Sequence, residues 1–471
     1  MDEVAECPGC RKRDQAIAEL QAIVAAQQVQ IAALQAEVAS LARKLDERPQ
    51  PPRGHAGMPP APAKKPTGRK RGAQPGHPPH LKELVPAERV DQIISLVPDV
   101  CSGCRADLSA VPTDLESTPL RHQIAELPRL AARITEYQAH ARTCPDCGRL
   151  NRATIPASIR RHCLGERLTA VLAYLVGSHG VSKRGVEEIA HDVFGVQIAL
   201  GSVANLEQEV SAALEPAHQE AMAHVRAGPV KHLDETGWKQ AGKKRWLWVA
   251  ATSTVAVFLI DRLRNAVALS KLLGTAVAGV LCSDRWRAYD EHPLERRQLC
   301  WAHLKRNFEK LFERGGKAKE VAKAALDVTR RVFDAWHRYR GGGSHRAFDE
   351  TIAPLMLELL GVLQSGLRSR DARLKRFCAR LLAQYPAMWT FVVIDGVEPT
   401  NNHAERVLRR AVLWRRRSFG CQSDAGCRFA ERVLTAVQSL RLQGRSVVAF
   451  LQESLAAQRA GLGGPSLIAV E

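Results

Sequence analysis

The order of the apolar segments after Pro229 limits the possible folds of this chain more than any other feature. VKHLDETGW, KRWLWVAAT and VAVFLIDRL each have the length and the β-branched or aromatic content of a strand. A helix is predicted through ALSKLLG, and AGVLCSD after it is predicted to be a fourth strand that ends on an acid. This is the order of a ribonuclease-H-like core, so we expect a multidomain α/β protein built around one.

Three acidic residues lie in short motifs of this half of the chain. Asp234 in HLDETGWK and Asp284 in LCSDRWRAY each close a predicted strand, and Glu405 in EPTNNHAERVLRR lies near the start of a predicted helix. If the two strands are neighbours and the helix packs over the sheet edge, the three carboxylates can share two divalent ions for phosphodiester chemistry. Hard oxygen ligands favour Mg²⁺ or Mn²⁺.

The helix around Glu405 is rich in arginine and is a candidate DNA contact. Asn401 and Asn402 precede Glu405 by four and three residues and therefore share its helical face. Together with Arg406, Arg409 and Arg410 they are predicted to contact DNA or to orient the carboxylate. Taken alone, the segment also fits an ordinary solvated helix with capping asparagines.

The charge balance also favours a polyanionic partner. Lys and Arg number 68 against 49 Asp and Glu, which gives a formal net charge of +19. The chain has no apolar run of about 18 residues that could span a bilayer, so no membrane is expected. Its first residues, MDEVAECPGC, lack an apolar signal core, and we expect a cytoplasmic protein.

Residues 1–48 are predicted to form a dimerising coiled coil. A heptad register runs from Ile17 to Leu45, mostly with β-branched residues at a and leucine at d, a pattern that favours a parallel two-stranded coil. A single amphipathic helix packed on its own core is the alternative. Cys7 and Cys10 form a knuckle that two chains could combine into one shared zinc site.

Residues 49–80 are predicted to be a basic linker. The stretch from Pro49 to Pro79 holds ten of the 25 prolines and no acid, so it cannot bury a core. Its charges, Lys70 and Arg71 among them, would let it follow a DNA backbone. A merely soluble tether is the alternative.

Residues 81–160 are predicted to form a small zinc-binding module. The chain has 12 cysteines, six of them in Cys-x-x-Cys pairs, which in a reducing compartment favour metal binding over disulfides. Two such pairs fit one structural zinc site: Cys101, Cys104, Cys144 and Cys147. Surface thiols that happen to be paired are the alternative.

Most of the remaining chain is predicted to be helical. In residues 161–228, SKRGVEEIAHDVFGVQIALGSVANLEQEV is predicted to form two helices around a turn, either a DNA-reading helix-turn-helix or a hairpin that only packs. Helices are also predicted from CWAHLKRNFEKLFE to about Pro386, with a break at Gly341 to Gly343. A final helix pair covers 400–417 and 424–442, and residues 446–471 are predicted to be a tail.

Cys300 and His303 share one face of the predicted helix after Asp284. Two ligands do not make a zinc site, and a buried thiol beside a hydrogen-bonded imidazole is the simpler interpretation.

In these motifs and their order the chain resembles DDE transposases of the bacterial insertion sequence sixty-six family. The segments that carry the resemblance are GRKRGAQPGHPPH, CSGC, CPDCG, HLDETGW, LCSDRWRAY, CWAHLKRNF and TNNHAERVLRR. One departure is GHPPH, where the family tends to have a glycine after the proline. This difference concerns the linker and not the three acids.

The resemblance implies that Asp234, Asp284 and Glu405 are the catalytic triad of a ribonuclease-H-like core formed by 229–300 and 396–445. It implies a helical insertion, assigned to 301–395, and a local role for Cys300 and His303 near the site. It further implies a nucleoid-associated bacterial enzyme that binds the terminal inverted repeats of a mobile element, then cleaves and transfers strands. A homodimer or higher oligomer and accessory proteins encoded by the same element are expected partners.

Three other functions remain open. A zinc-dependent scaffold would explain the cysteines but not the acids. A catalytically silent regulator descended from a transposase would keep the DNA-binding half, although the intact triad argues against it. A metal-dependent ribonuclease-H-like nuclease would share the core and its ions but would not need the coil, the zinc module and the insertion.

The cysteine spacing makes a prediction about metal content. Purified protein is expected to contain at least one zinc ion per chain, because a structural zinc site supplies folding energy to a small module. Cys144→Ser is expected to lose this zinc together with binding to the repeats. Elemental analysis that finds no zinc in well-folded protein would contradict the four-cysteine site.

Overall fold

The computed structural model describes residues 84–114, 116–128 and 130–469. Within this part the chain forms two compact units, 84–131 and 132–469. The predicted coil and linker, with Cys7, Cys10, Lys70 and Arg71, lie outside the described residues.

The smaller unit has little regular structure in its described part. It contains a short 3₁₀ helix, Ala87–Arg89, and an isolated bridge between Val100 and Asp107. The boundary after residue 131 divides the predicted zinc module of residues 81–160. Cys101 and Cys104 thus belong to the smaller unit and Cys144 and Cys147 to the larger one, and the zinc site stays a prediction.

The larger unit begins with a hairpin and a group of helices. Strands β1 (Ala141–Thr143) and β2 (Leu150–Arg152) pair antiparallel. The helices that follow are α1 (Ala157–Arg160), α2 (Glu166–His179), α3 (Lys183–Asp192), α4 (Leu200–Ala213) and α5 (Glu215–Ala227). The helix pair predicted around Gly195 is present as α3 and α4. Apolar residues of α2 to α5 share one core with the central sheet, so residues 161–228 do not form a separate globule.

The central sheet contains β3 (Val230–Gln240), β4 (Lys243–Ala251), β5 (Ala256–Asp261), β6 (Val280–Ser283) and β7 (Arg297–Leu299), with α6 (Ala266–Leu273) between β5 and β6. The strand order is β5-β4-β3-β6-β7. The first three strands form an antiparallel meander, and β6 and β7 add in parallel. All four predicted strands and the connecting helix are confirmed. β7 was not predicted, because three residues are too few to show a periodicity.

The helical insertion packs against the β6–β7 edge of this sheet. Its helices are α7 (Trp301–Phe312), α8 (Gly316–Arg340), α9 (His345–Leu367), α10 (Ala372–Ala383) and α11 (Thr390–Val393). A second hydrophobic core joins them to Cys282 and Leu299 of the sheet, so the insertion is continuous with the sheet rather than tethered to it. The predicted break at Gly341 to Gly343 is confirmed. In the described part of the chain, no helix is long and apolar enough to cross a membrane.

Three helices complete the fold: α12 (Asn402–Ser418), α13 (Asp424–Leu442) and α14 (Val447–Ala460). The predicted C-terminal tail is wrong for α14. Phe450, Leu451 and Leu455 of this helix are buried in the first core. Together with the buried Val447 they occupy positions i, i+3, i+4 and i+8, which is the pattern of a helix with one apolar face packed on a core.

Helix α13 protects the open edge of the sheet. The backbone N–H groups of Ala256, Phe258 and Ile260 in β5 point away from β4 and donate to Ser439 Oγ, Thr435 Oγ1 and Glu431 Oε1, at 3.0, 3.1 and 2.6 Å. Alternate residues of a strand and every fourth residue of a helix both advance by about 6 to 7 Å, so the two rows stay in register. An edge strand covered in this way has no free N–H row for unwanted pairing.

This edge arrangement makes a prediction about stability. Thr435→Val keeps the side-chain shape but leaves the N–H of Phe258 buried without an acceptor, which is expected to lower the free energy of unfolding by about 1–3 kcal/mol. Thr351→Val is the matched control, because Thr351 Oγ1 only donates to Ala347 O within its own helix, at 2.7 Å. Urea unfolding curves check this. Equal midpoints for the two variants would contradict it.

Candidate functional site

Asp234 lies in the interior of β3 and faces α12. Side chains alternate along a strand, so His232, Asp234, Thr236 and Trp238 share one face. Contacts with α12 mark that face: Thr236 Oγ1 accepts from the Arg415 guanidinium at 2.9 Å, and the Trp238 ring lies edge-on to Trp414. The prediction that Asp234 ends its strand is therefore wrong, because β3 continues beyond it in its hairpin with β4.

Asp284 directly follows the end of β6. The parallel register pairs His232 with Cys282, so Asp284 is reached two residues further on, beside Asp234. The prediction that the two strands are neighbours is confirmed. The Oδ1 of Asp284 accepts the backbone N–H of Trp286 at 2.8 Å, which turns the chain away from the sheet directly after the acid.

Asn401 fixes the start of α12 and thereby positions Glu405. Its Nδ2 donates to Leu233 O at 2.5 Å, its Oδ1 lies 3.2 Å from His232 Nδ1, and its backbone N–H donates to Cys300 Sγ at 3.2 Å. Only 1% of Asn401 is exposed. The prediction of a DNA contact at Asn401 is therefore wrong. Its hydrogen bonds instead hold the start of α12 against β3 and Cys300.

Helix α7 of the insertion lies beside Glu405. The backbone N–H of Trp301 donates to Pro399 O at 2.9 Å, which joins the start of α7 to the segment before α12. One turn later, Arg306 donates to Glu405 Oε1 at 3.1 Å, and His303 Nδ1 lies 3.7 Å from the same oxygen. Among the described residues His303 Nδ1 has no hydrogen-bond partner, so the expected hydrogen-bonded imidazole is not found. The buried thiol of Cys300 is confirmed.

The carboxylates influence one another electrostatically. Burial, followed by the negative charge of Glu235, raises the pKa of Asp234 to about 7, and Asp284 and Glu405 add to the increase. The register of β3 and β6 places Asp284 beside Asp234, and Asp234 and Glu405 line one groove, so the three predicted acids lie in one region of the protein. Burial, with some repulsion from Arg306, lowers the pKa of His303.

Asp234 and Glu405 open onto a groove of about 600 Å³, and Asp284 is not among the residues that line it. Its lining combines acids of β3 and α12 with cations of α7 and α12: Asp234, Glu235, Thr236, His303, Arg306, Asn402, Glu405, Arg406, Leu408, Arg409 and Val412. Asn402, Arg406 and Arg409 are exposed on the groove face of α12, whereas Arg410 is half-buried and is not among the groove residues. Anionic acids at the floor with guanidinium groups along the rim suit a phosphate chain and its counter-cations.

The donor chemistry fits divalent ions, although the side chains are not gathered around one. Among the described residues, no group of three or more His, Cys, Asp or Glu side chains is close enough to hold a metal ion. Each predicted ligand instead has a protein partner: Glu235 N–H for Asp234, Trp286 N–H for Asp284 and Arg306 for Glu405. The mutual repulsion that raises the pKa of Asp234 is nevertheless what a bound cation would relieve.

Sequence analysis missed two groups of the site. Glu235 is buried on the opposite face of β3 from Asp234, between Tyr289 and Arg264. Its position beside Asp234 in HLDETGW was the available signal. Arg306 lies in CWAHLKRNF, but nothing in that segment shows that it reaches Glu405, which is 99 residues further along the chain.

The two cysteine knuckles have the same local geometry, each within its own unit. Cys101 N–H donates to Ala106 O and Cys144 N–H to Arg149 O, both at 2.9 Å. In each knuckle, backbone N–H groups directed at the first sulfur lower the pKa of that thiol, with the N–H of Cys104 and of Cys147 contributing most. A stabilised thiolate is the form that binds zinc.

Helix α4 does not have the surface of a DNA-reading helix. It carries no Lys or Arg, and its two acids pair with neighbouring helices and their flanks. Glu207 bonds Lys183 at 2.8 Å, and Glu209 bonds Arg459 at 2.8 Å and lies 3.1 Å from His162. These contacts favour the packing interpretation of the helix pair.

Comparisons with known proteins place most of this region in one family. A family model described as Transposase IS66 family matches residues 161–429, more than half of the 471 residues. The chain is 22% identical over 404 residues to uncharacterized protein y4hP of Sinorhizobium fredii, covering 78% of this chain and 72% of that protein. It is 23% identical over 242 residues to uncharacterized protein y4qI of the same organism, covering 45% and 43%. The range 161–429 includes all three predicted acids.

The raised pKa of Asp234 makes a prediction about pH dependence. A carboxyl group whose pKa rises on folding destabilises the folded state only at pH values where it ionises. For Asp234 this destabilisation is absent below about pH 3.8 and complete above about pH 7. With a chelator present, Asp234→Asn is expected to stabilise the protein at pH 8 by on the order of 1–3 kcal/mol, and by much less at pH 4.5.

Thermal unfolding at the two pH values measures this effect. Asp395→Asn serves as the control, because Asp395 is exposed and its replacement should change neither melting temperature. A melting temperature of Asp234→Asn at or below that of the unmodified protein at pH 8 would contradict the interpretation of Asp234 as a repelled, buried carboxylate.

Proposed function

The chain belongs to the Transposase IS66 family, and we propose that it binds the ends of a mobile element and catalyses metal-dependent cleavage and transfer of DNA strands. The observation that supports this most directly is the convergence of Asp234, Asp284 and Glu405. They come from three separate elements: Asp234 and Glu405 line one groove that also carries arginines, and Asp284 follows the strand beside Asp234. Burial raises the pKa of Asp234, and the charges of the other two acids add to the increase. Sites of phosphoryl transfer need such a combination of anionic ligands and cationic substrate contacts.

Asp234, Asp284 and Glu405 are the residues that would hold two Mg²⁺ or Mn²⁺ ions, in a core of the ribonuclease-H-like type. When bound, such ions activate the attacking oxygen and stabilise the leaving oxygen of the phosphodiester. The sheet order, an antiparallel meander extended by two parallel strands, is the arrangement that this proposal requires. Asp234 lies within β3, and Asp284 directly follows the adjacent strand β6. Glu405 lies on α12, which packs over β3.

The cations of the groove would bind and orient the DNA. Arg406 and Arg409 are exposed one and two turns along the groove face of α12, in position to contact successive phosphates. Arg306 is 53% exposed. Its Nε donates to Ala302 O and one terminal nitrogen donates to Glu405 Oε1, so its other terminal N–H groups are available to an anion. These contacts would hold the DNA backbone over the acids with little preference for the DNA sequence, because phosphate groups are the same at every base pair.

The decisive experiment is cleavage and joining of labelled element-end DNA. Alanine or amide replacement of Asp234, Asp284 or Glu405 is expected to reduce both reactions by at least about 10³-fold, because each removes a ligand charge. DNA binding should persist, since the arginines remain. Activity is expected to require Mg²⁺ or Mn²⁺ and to disappear with chelator.

Glu431→Gln provides a matched control for these variants. Glu431 is also a half-buried carboxyl group whose pKa burial raises to about 7, but it bonds β5 from α13, outside the groove. Its variant should retain activity. Cleavage without joining by the unmodified protein would favour a nuclease, and DNA binding without either reaction would favour a silent regulator. Near-normal cleavage and joining by Glu405→Ala would refute the assignment of that residue.

A further inference from the structure

The carboxylate of Glu235 is directed away from the groove floor and into the opposite layer of the protein. Asp234 and Glu235 are consecutive in β3, so their side chains lie on opposite faces of the sheet. The Glu235 side chain is only 2% exposed. Its Oε2 accepts the Tyr289 hydroxyl at 2.6 Å, and its Oε1 accepts Arg264 Nε at 2.9 Å and a second guanidinium nitrogen at 2.8 Å. Both oxygens are therefore engaged by groups that follow other strands.

Both partners of Glu235 lead to the loop that carries Asp284. Tyr289 ends the short 3₁₀ helix Arg287–Tyr289 in that loop, and its ring is fully buried against Trp248. The Arg264 guanidinium lies 4.0 Å from the ring centroid of Trp286, whose Nε1 donates to Arg264 O at 3.2 Å. The backbone N–H of Trp286 in turn holds Asp284 Oδ1. Two routes thus connect Glu235 to the segment from Asp284 to Tyr289.

This segment needs such support because strand pairing ends directly before Asp284: Ser283, the last residue of β6, still pairs with Leu299 of β7. Pairing between β3 and β6 ends with His232 and Cys282, before Asp284 is reached. Beyond that point, the position of the carboxylate depends on side chains that hold the loop. Buried ion pairs add little net stability, because desolvation offsets their attraction, but they define geometry well. Residues behind a ligand commonly set its orientation in this way.

We propose that Glu235 is a positioning residue that holds Asp284 beside Asp234 by fastening Tyr289 and Arg264. The proposal rests on the proposed function, since it concerns how the predicted metal ligands are aligned. Glu235 does not contact the DNA or an ion in this role. Its effect reaches the site through the Asp284 loop.

Glu235→Gln and Tyr289→Phe test the proposal together with their double variant. Tyr289→Phe removes only the hydroxyl that donates to Glu235. Each single variant is expected to weaken Mn²⁺ binding to DNA-free protein, and to lower the rate constant of cleavage, by about 10- to 100-fold, with the dissociation constant for DNA unchanged. Because the two residues act through one contact, the double variant should be little worse than the more affected single variant.

Tyr385→Phe is the matched control for a structural role. The Tyr385 hydroxyl donates to Met356 O in the insertion, away from the acids. This variant is expected to lose some thermal stability and to leave Mn²⁺ binding unchanged. Mn²⁺ binding is measured by electron paramagnetic resonance of the free ion, independently of activity.

The remaining outcomes separate the two proposals. If Asp234→Asn abolishes cleavage while Glu235→Gln and Tyr289→Phe keep normal Mn²⁺ binding and rates, the positioning role is wrong and the proposed function stands. If Glu235→Gln is as severe as Asp234→Asn and Tyr289→Phe is normal, Glu235 is itself a ligand and the positioning role is overturned. Normal cleavage by Asp234→Asn would refute the proposed function and, with it, the positioning role of Glu235.

Discussion

The hydrogen bonds of Asn401 connect the segments that carry all three acids of the site. Its side chain bonds Leu233 O, the residue before Asp234, and its backbone lies at the start of the helix that carries Glu405. Its N–H also bonds Cys300 Sγ, and Cys300 N–H bonds Ser283 O, the residue before Asp284. One continuous path of hydrogen bonds therefore fixes three residues that are far apart in the sequence. Since the path is buried, water does not compete for its bonds.

The site contains a carboxylate, that of Asp234, which no basic residue of the described part of the chain neutralises. Arg264 bonds Glu235 and Arg306 bonds Glu405, whereas Asp234 accepts only the N–H of Glu235 and has no basic partner among the described residues. Burial, followed by the negative charge of Glu235, raises the pKa of Asp234 to about 7. A folded protein keeps such a destabilising group where function requires it, and strongly shifted carboxyl groups therefore mark candidate sites.

The sequence predicted the parts of the structure that depend on local patterns, and missed those that depend on contacts between distant segments. Strands β3 to β6 were identified from their β-branched and aromatic content, and the acids from their motifs. Helical spacing predicts that Asn401 lies on the same face as Glu405, but it does not tell whether Asn401 is exposed to DNA or buried. The packing of α12 on β3 decides this. Arg306 and the bonds of Glu235 were missed for the same reason: their partners lie in other elements.

The insertion is part of the wall of the site rather than an appendage to the core. Its first helix begins at Trp301, whose Nε1 donates to Met388 O at 2.7 Å. The Trp301 ring also packs edge-on against Trp389, with 4.9 Å between the ring centroids. Met388 and Trp389, near the C-terminal end of the insertion, therefore help to hold the helix that places His303 and Arg306 beside Glu405. The second core also includes Cys282, two residues before Asp284. The packing of the insertion on the sheet therefore supports both the helix beside Glu405 and the strand that precedes Asp284.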